Sequence, residues 1–431
     1  MQRRWNQTTN SQSVSYKVEA WDKLQYLFKV KNINDHTLHF VATLSGKLDL
    51  ERFKHAVNLS AEAFPLIRCR LDETKGQLTW EDKGYTSDDM VHFLVSANTE
   101  ESVTHFICKE IDAFDGPQMK AEVIRKGEID KLCISMNHML CDAAGFKEYL
   151  YMLCNIYINL HKKMNLHMAA MGNRKMNQVF KTFSLRDKFR ILFGKNDMAT
   201  IDPIQFDLEG DLSNPYIETR SIPQEHFSAL KAYAKNYSAT VNDMIVTAYV
   251  RVLYQLYGRT VIIPCTVDTR KYLPNRRTNG ICNLCTNLTC NIGSEIGLLF
   301  EETLCKVKQV MDKEKSNISC VKSIYLMEKA FDLLPDKLAR SLIEKNFSNP
   351  FIAFTNIGIL DKTKLTFGSV KVTEAYMTGS IKYSPYFQLA ISTFDDVATL
   401  SINLYGTESD RSKLSLFLDK LVTELQNTIL I

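Results

Sequence analysis

The chain has 431 residues, which is enough for two ordinary domains or one large fold. Hydrophobic residues make up 45% and charged residues 24% of the sequence, a balance that excludes a disordered or fibrous protein. The formal net charge of +4 is small and evenly spread, so no nucleic-acid partner is expected. No apolar stretch follows the N-terminus, and no window approaches eighteen consecutive apolar residues, so we expect neither a signal peptide nor a transmembrane segment. Eleven cysteines without an export signal indicate a reducing compartment, and therefore a cytoplasmic protein.

Apolar periodicity and turn residues predict a mixed α/β organisation for the first part of the chain. The elements are predicted in this order: a strand at 39–44, a helix capped by Asp49, a strand at 66–71, a helix at 101–111, strands at 119–125 and 131–136 joined by a turn at Gly127, and a helix at 144–160.

The region that follows is richer in Lys, Arg, Met and Asn, and it is predicted to be a crossover to a second half. The domain division is therefore 1–165, 166–215 and 216–431. In the second half the patterns predict a strand at 216–222, helices at 224–235 and 244–257, a strand at 261–267, helices across 297–346 and a β-rich stretch at 352–405.

His138 is the strongest candidate for a chemical role, because it follows a predicted strand and precedes a predicted helix. Such a loop is held by rigid elements on both sides. A histidine can deprotonate a hydroxyl or an amine near neutral pH. Asp142 stands four residues later, and it can fix the loop by pairing with an arginine from elsewhere in the chain. Gly145 relieves crowding where the chain turns into the helix. The spacing alone favours the alternative of a packed histidine with Asp142 capping the helix.

The order of several short segments along the chain resembles one family. These segments are Gly46-Lys-Leu-Asp49, Ala63-Phe-Pro-Leu-Ile-Arg68, Phe114-Asp115, Asn137-His-Met-Leu-Cys-Asp142-Ala-Ala-Gly145, Asp268-Thr-Arg270, Gly280-Ile-Cys-Asn283 and Phe354-Thr-Asn-Ile-Gly358. The family is that of the condensation-domain-like acyltransferases, within the chloramphenicol acetyltransferase-like superfamily. The resemblance spans nearly the whole chain.

The resemblance implies an α/β fold of two similar halves that form a V around a central tunnel. It implies that His138 is the general base and that Asp142 is a structural brace, with Arg270 as the expected partner and Arg68 as the alternative. The acyl donor is then a CoA thioester or an acylated phosphopantetheine on a carrier protein, with no permanently bound cofactor and no covalent enzyme intermediate. The acceptor is a small molecule with a hydroxyl or an amine. Asn356, Ser380 and Thr378 are the candidates for the oxyanion donor.

Two positions depart from the family pattern. Many members carry a second histidine where Asn137 stands, and a glycine where Ala143 stands. Ala143 motivates an alternative in which the chain is an inactive binding or scaffold module. A carrier-protein-dependent condensation enzyme is the second alternative.

Two other patterns, a cysteine cluster and a basic aromatic segment, each have more than one interpretation. Cys282, Cys285 and Cys290 do not have a standard zinc spacing, and core packing is the preferred interpretation, as it is for Cys141. Residues 174–195 interleave aromatic side chains with Arg174, Lys175, Lys181, Arg186, Lys188, Arg190 and Lys195. This segment could meet an acidic carrier protein or an anionic membrane surface, or it could be a solvated crossover packed on the core.

Overall fold

The computed structural model describes residues 14–74, 76–160, 171–193, 202–346 and 349–429. The helices are α1 Ala20–Val30, α2 Leu50–Ala63, α3 Ser87–Met90, α4 Thr99–Ile107, α5 Ala143–Asn159, α6 Asn177–Lys181, α7 Leu185–Phe193, α8 Gln224–Asn236, α9 Val241–Tyr257, α10 Phe300–Ser316, α11 Lys322–Leu333, α12 Asp336–Asn346 and α13 Glu408–Ile429. The strands are β1 Ser15–Lys17, β2 Thr37–Leu44, β3 Cys69–Thr74, β4 Gln77–Asp82, β5 Val91–Val95, β6 Met119–Lys126, β7 Ile129–Asn137, β8 Pro215–Ile222, β9 Ile263–Asp268, β10 Cys285–Cys290, β11 Ile352–Leu360, β12 Thr366–Phe367, β13 Val370–Thr378, β14 Lys382–Tyr383, β15 Phe387–Phe394 and β16 Val397–Tyr405.

The first lobe contains a six-stranded sheet in the order β12-β13-β2-β7-β6-β5 and a small sheet in the order β1-β4-β3. The hairpin of β6 and β7 turns at Gly127, whose positive φ of 59° suits glycine. Helices α2 and α5 pack on the large sheet, and their apolar faces join one core that includes Phe53, Val57, Phe146 and Tyr149. Asp49 accepts a hydrogen bond from the Arg52 N–H and so begins α2, as predicted.

The second lobe contains a sheet in the order β10-β9-β11-β15-β16-β14, with β8 also paired to β16. Helices α9 and α13 pack against it around Tyr249 and Phe417. Thr240 and Asp243 form a capping box at the start of α9. The fold is therefore mixed α/β with two lobes, as the sequence predicts.

Within the described residues, the late part of the chain contributes a strand to the sheet of the first lobe. Strand β13 comes late in the sequence, yet it pairs antiparallel with β2 in the sheet of the first lobe. The Met377 N–H also donates to Ser392 Oγ of β15 at 3.0 Å, which joins the two large sheets. Part of the predicted segment 216–431 thus lies in the first lobe. The division at 165 lies outside the described residues, and the domain boundaries stay a prediction.

Most predicted elements are present with ends shifted by a few residues. The predicted strand at 66–71 is wrong in its first half, because Pro65–Arg68 forms a 3-10 turn and β3 begins only at Cys69. Proline at the first position of that turn cannot donate to a strand ladder. Helix α1 and strands β1 and β4 were not predicted.

Within the part of the chain that the structure describes, no helix is both long and apolar enough to cross a membrane.

Candidate active site

His138 lies directly after β7, in a tight turn that leads into α5. Its backbone N–H donates to the His36 carbonyl at 2.7 Å. The neighbouring Asn137 is buried: its amide donates to Gln118 Oε1 at 2.7 Å, and its own Oδ1 accepts from the Met139 N–H at 2.8 Å. Asn137, which occupies the position of the first histidine in the family's His-His pair, therefore holds the turn.

Asp142 is the N-cap of α5, and none of the hydrogen bonds that its carboxylate accepts comes from His138. Its Oδ1 accepts from the Gly145 N–H at 2.8 Å, as an N-cap carboxylate does. Its Oδ2 accepts from Arg270 Nη1 at 2.9 Å and from the Leu284 N–H at 2.7 Å. The ion pair expected between Asp142 and Arg270 is thus present, and it joins the two lobes.

Arg270 is almost completely buried and also reaches two other acceptors. Its Nη1 lies 3.1 Å from Asp268 Oδ1, and its Nη2 donates to the Cys282 carbonyl at 2.8 Å. Burial opposes ionisation of Asp142, but the charge and hydrogen bonds of Arg270 outweigh it and hold the pKa of Asp142 below its ordinary value. Burial likewise opposes the charge of Arg270, and the two carboxylates raise its pKa on balance. Arg68 instead pairs with Asp82 at 2.8 Å, so it is not the partner of Asp142.

Two further side chains hold the turn after His138 through its carbonyl groups. Asn283 Nδ2 donates to the carbonyls of His138 and Met139 at 3.0 and 3.2 Å. Arg174 Nη2 donates to the carbonyls of Met139 and Leu140 at 3.3 and 3.0 Å while its guanidinium pairs with Asp22 at 2.8 Å. Asn283 belongs to a segment already noted in the sequence. Arg174 begins the basic segment 174–195, but it is buried, so it belongs neither to a docking surface nor to a solvated part of the crossover.

Gly145 permits a close approach between the lobes. A Cβ atom at this position would lie 2.7 Å from Cys141 Cβ and 2.9 Å from the Cys282 carbonyl oxygen. Both distances are shorter than van der Waals contact. Glycine therefore lets α5 start directly against the segment of the second lobe that carries Cys282 and Asn283.

A cavity of about 780 Å³ lies between the two lobes, and His138 lines it. Its walls include residues of helices α1 and α11, of the turn at 138–144, of strands β9, β10 and β11, and of the segment 379–388. Apolar wall residues include Trp21, Phe28, Leu38, Ile324 and Met327, and polar ones include Gln25, Asn34, Ser380 and Lys382. The size and the mainly apolar lining fit a small organic substrate.

The imidazole of His138 is kept in its neutral form. Burial lowers its pKa, the positive charge of Lys382 acts in the same direction, and the opposing influence of Asp142 is smaller than that of burial. A neutral imidazole is the form that can accept a proton.

The three candidates for an oxyanion donor differ in their surroundings. Thr378 Oγ1 is engaged with Ser401 Oγ at 2.7 Å and Asn403 Oδ1 at 2.9 Å, and Thr378 does not line the cavity. Asn356 lines it, but its amide donates to Asn242 Oδ1 at 3.0 Å. Ser380 is buried in the cavity wall, and its Oγ has no hydrogen-bond partner within the described residues. Ser380 is therefore the best placed of the three.

The cysteines are free thiols, and most of them are buried. Burial raises the pKa of the Cys141 thiol far above its ordinary value, and its Sγ packs 3.3 Å from Met136 Sδ. Among the described residues, no group of three His, Cys, Asp or Glu side chains is arranged to hold a metal ion.

Comparison of the sequence finds no matching family model and no matching curated protein. Solved structures do match it over almost its whole length. The first condensation domain of the CDA synthetase superposes with a TM-score of 0.70 at 12% identity, covering 97% of this chain and 96% of that chain. The TRI3 trichothecene 15-O-acetyltransferase from Fusarium sporotrichioides has a TM-score of 0.68 at 13% identity, covering 99% and 97%. Polyketide synthase associated protein 5 from Mycobacterium tuberculosis has a TM-score of 0.65 at 12% identity, covering 96% and 98%. The chain thus has the fold of the condensation-domain-like acyltransferases, as its sequence segments predict.

Proposed function

We propose that this protein is an acyltransferase, which moves an acyl group from a CoA thioester to a hydroxyl or amine acceptor with His138 as the general base. One observation carries the proposal: His138 lines a cavity between the lobes, while the carboxylate of Asp142 accepts hydrogen bonds from Arg270, Leu284 and Gly145 and none from His138. The imidazole is therefore free for a substrate, whereas the carboxylate serves the architecture. The shared fold with an acetyltransferase and with condensation domains supports the same activity.

In the proposed reaction, the imidazole of His138 takes the proton from the acceptor as its oxygen or nitrogen attacks the thioester carbonyl. A tetrahedral oxyanion forms, and the Ser380 hydroxyl is the proposed donor to it. The oxyanion collapses, the C–S bond breaks, and the imidazolium returns the proton to the departing thiolate. No bond to the enzyme forms at any step.

Replacement of the base tests this proposal directly. His138→Ala should lower the rate of acyl transfer by about 10²–10⁴-fold, the usual contribution of a positioned acid or base. The measurement is release of free thiol from acyl-CoA with a panel of alcohols and amines. Equal rates for the variant and the wild type would refute the role of His138. The absence of transfer in both, with every donor, would favour an inactive binding module.

A second candidate function takes the acyl donor from a carrier protein, and helix α7 favours it. Leu185, Phe189 and Phe193 are 85%, 66% and 71% exposed, and they recur at a spacing of four residues along one face. Arg186 and Arg190 are exposed on the same helix. An apolar stripe with cationic neighbours fits an acidic protein partner. Lys195, which belongs to the same basic segment, lies outside the described residues.

Charge reversal on α7 separates the two donors. The variant Arg186→Glu/Arg190→Glu should lower turnover with a carrier-bound thioester about tenfold or more, through slower association at low salt, and should leave turnover with acyl-CoA unchanged. The matched control is Lys337→Glu/Lys345→Glu on α12, a helix elsewhere on the surface. Unchanged turnover of the α7 variant with the carrier-bound donor would contradict carrier docking at this helix.

A further inference from the structure

Lys382 places a positive charge in the wall of the cavity, at the seam between the lobes. It begins β14, which pairs with β16, and a backbone bridge joins it to Asn34 of the first lobe. Ser380 and Lys382 both line the cavity, whereas the alternating residues Ile381 and Tyr383 pack into a small apolar cluster on the other side. The extended backbone thus directs a hydroxyl and an ammonium group towards the same space.

Helix α1 contributes an indole N–H, from Trp21, and a side-chain amide, from Gln25, to the same cavity wall. Trp21, Gln25 and Phe28 line the cavity at a spacing of four and three residues, which puts them on one face of the helix. Trp21 Nε1 and Gln25 Oε1 are buried and have no hydrogen-bond partner within the described residues. Ser380 Oγ is in the same condition. Buried polar atoms in proteins are nearly always paired, so these atoms indicate the position of a polar ligand group.

Lys382 is only partly buried, and it lines the cavity. Within the part of the chain that the structure describes, it makes no ion pair and no side-chain hydrogen bond. Asp35 is the carboxylate that influences it through space. Its Oδ1 accepts from the N–H groups of Thr37 and Ile381, and its Oδ2 has no hydrogen-bond partner within the described residues. Burial raises the pKa of Asp35 to about 7, so it supplies only part of a negative charge at neutral pH. Burial lowers the pKa of Lys382 to about 8, so the group is still mainly protonated at neutral pH. A partly buried cation without an ion-pair partner is well placed to bind a ligand that supplies the counter-charge.

We propose that Lys382, with the indole N–H of Trp21 on α1, forms a subsite that binds a carboxylate carried by the substrate. The single charge of Lys382 matches a monoanion, whereas a phosphate dianion would leave a buried negative charge. The apolar residues Phe28, Met327 and Ile324 accommodate the hydrocarbon part of the same molecule. The inference rests on the proposed function for its meaning, since it makes the transferred acyl group or its acceptor an acidic molecule.

Three probes with the same eight-carbon chain test the subsite by isothermal titration calorimetry: octanoate, octan-1-ol and octyl phosphate. Wild-type protein should bind octanoate about 10- to 100-fold more tightly than octan-1-ol, the usual effect of a charge-assisted hydrogen bond. Octyl phosphate should bind more weakly than octanoate. Lys382→Met should remove the preference for octanoate and leave the affinity for octan-1-ol unchanged. Circular dichroism should show that this variant is folded and at least as stable as wild type.

Lys313→Met is the matched control, because Lys313 is an exposed lysine that lines the same cavity. It should keep the full preference for octanoate. Tighter binding of octyl phosphate, no measurable binding of octanoate, or a preference that survives Lys382→Met would each overturn the inference.

The outcome for the proposed function is independent of this result. The titrations are repeated with His138→Ala, which should retain the preference for octanoate. A preference that depends on Lys382, together with transfer that does not depend on His138, would leave the subsite and refute the proposed function. His138-dependent transfer without a preference for the carboxylate would refute only the subsite.

Discussion

At the scale of single residues, His138 and Asp142 have separate roles in the motif that contains both. His138 is left without an acidic partner from its own turn, because Asp142 is used by Arg270 and by two backbone N–H groups. The resulting network is buried and crosses between residues that are 128 positions apart. The contribution of this network to the free energy of unfolding therefore measures how strongly it holds the site.

Asp142→Ala should destabilise the protein by about 3–5 kcal/mol, because it leaves the buried guanidinium of Arg270 without its main counter-charge. Chemical denaturation measures the free energy of unfolding. Glu128→Ala is the control, since Glu128 pairs with Lys47 on the surface at 2.6 Å and its loss should cost about 1 kcal/mol or less. A variant at Asp142 that is as stable as wild type would contradict the assigned brace.

The same carboxylate sets a dependence of stability on pH. Its pKa in the folded protein lies below its ordinary value, so the unfolded chain binds the proton more readily. The contribution is therefore fully present above the unfolded pKa of about 4 and is lost as the pH falls through the folded value. The difference in stability between wild type and Asp142→Ala should shrink only in that acidic range.

The sequence could indicate His138, Asp142 and Arg270, because each stands in a short segment whose order along the chain carries information. Lys382 and Arg174 have no such local signal. Their importance follows from contacts between distant parts of the chain: Lys382 with the seam at Asn34, and Arg174 with Asp22 and the turn after His138. Periodicity and spacing describe only near neighbours.

At the scale of elements, the start of α5 is the contact on which the site depends. Two effects of a glycine-to-alanine substitution oppose each other here. Helix propensity favours alanine, but the added methyl group would meet a backbone carbonyl of the other lobe that cannot move independently. The steric effect should be the larger one.

Gly145→Ala should therefore destabilise the protein by up to about 2 kcal/mol, the balance of an overpacking cost of about 1–3 and a propensity gain of about 1 kcal/mol. Thermal and chemical denaturation provide the measurement. Gly46→Ala is the control, because its nearest neighbour would be 4.0 Å away, and it should change stability by less than about 0.5 kcal/mol. Stabilisation by Gly145→Ala would mean that the lobes separate at this contact.

Element prediction succeeded where periodicity was strong, as in α5 and α9, and it failed at α1 and in the basic segment. Helix α1 buries polar side chains along with apolar ones, among them Asp22, Lys23 and Gln25, so its pattern does not reveal a buried face. In the basic segment, Arg174 is buried while Arg186 and Arg190 are exposed. Composition alone could not separate an internal ion pair from a solvated helix.

At the scale of the whole molecule, strand β13 and the pair of Asp142 with Arg270 tie the lobes together at separate places. Without β13, which comes much later in the chain, β2 would be the edge strand of the first-lobe sheet. The two-lobed fold could be expected from the resemblance. The strand exchange could not, because nothing in the sequence of β13 specifies which sheet it joins.

The two lobes should therefore unfold in one transition. Trp80 is buried in the first lobe and Trp21 packs against α11, so the fluorescence of these two tryptophans reports on local packing there, while far-ultraviolet circular dichroism reports on the helices and strands of both lobes. The two denaturation curves should coincide, in wild type and in Asp142→Ala alike. Separate midpoints would indicate lobes that fold independently.

The buried position of Arg174 has a consequence for protein engineering. A chimera that joins the first lobe of this protein to the second lobe of a structural relative would be cut in the connecting region between them. If the cut lies before Arg174, position 174 is occupied by the relative's residue. The carbonyl groups of the turn after His138 and the carboxylate of Asp22 then lose Arg174 as their partner. The transplanted unit must therefore extend at least through Arg174, so that the reactive loop travels with the side chain that shapes it.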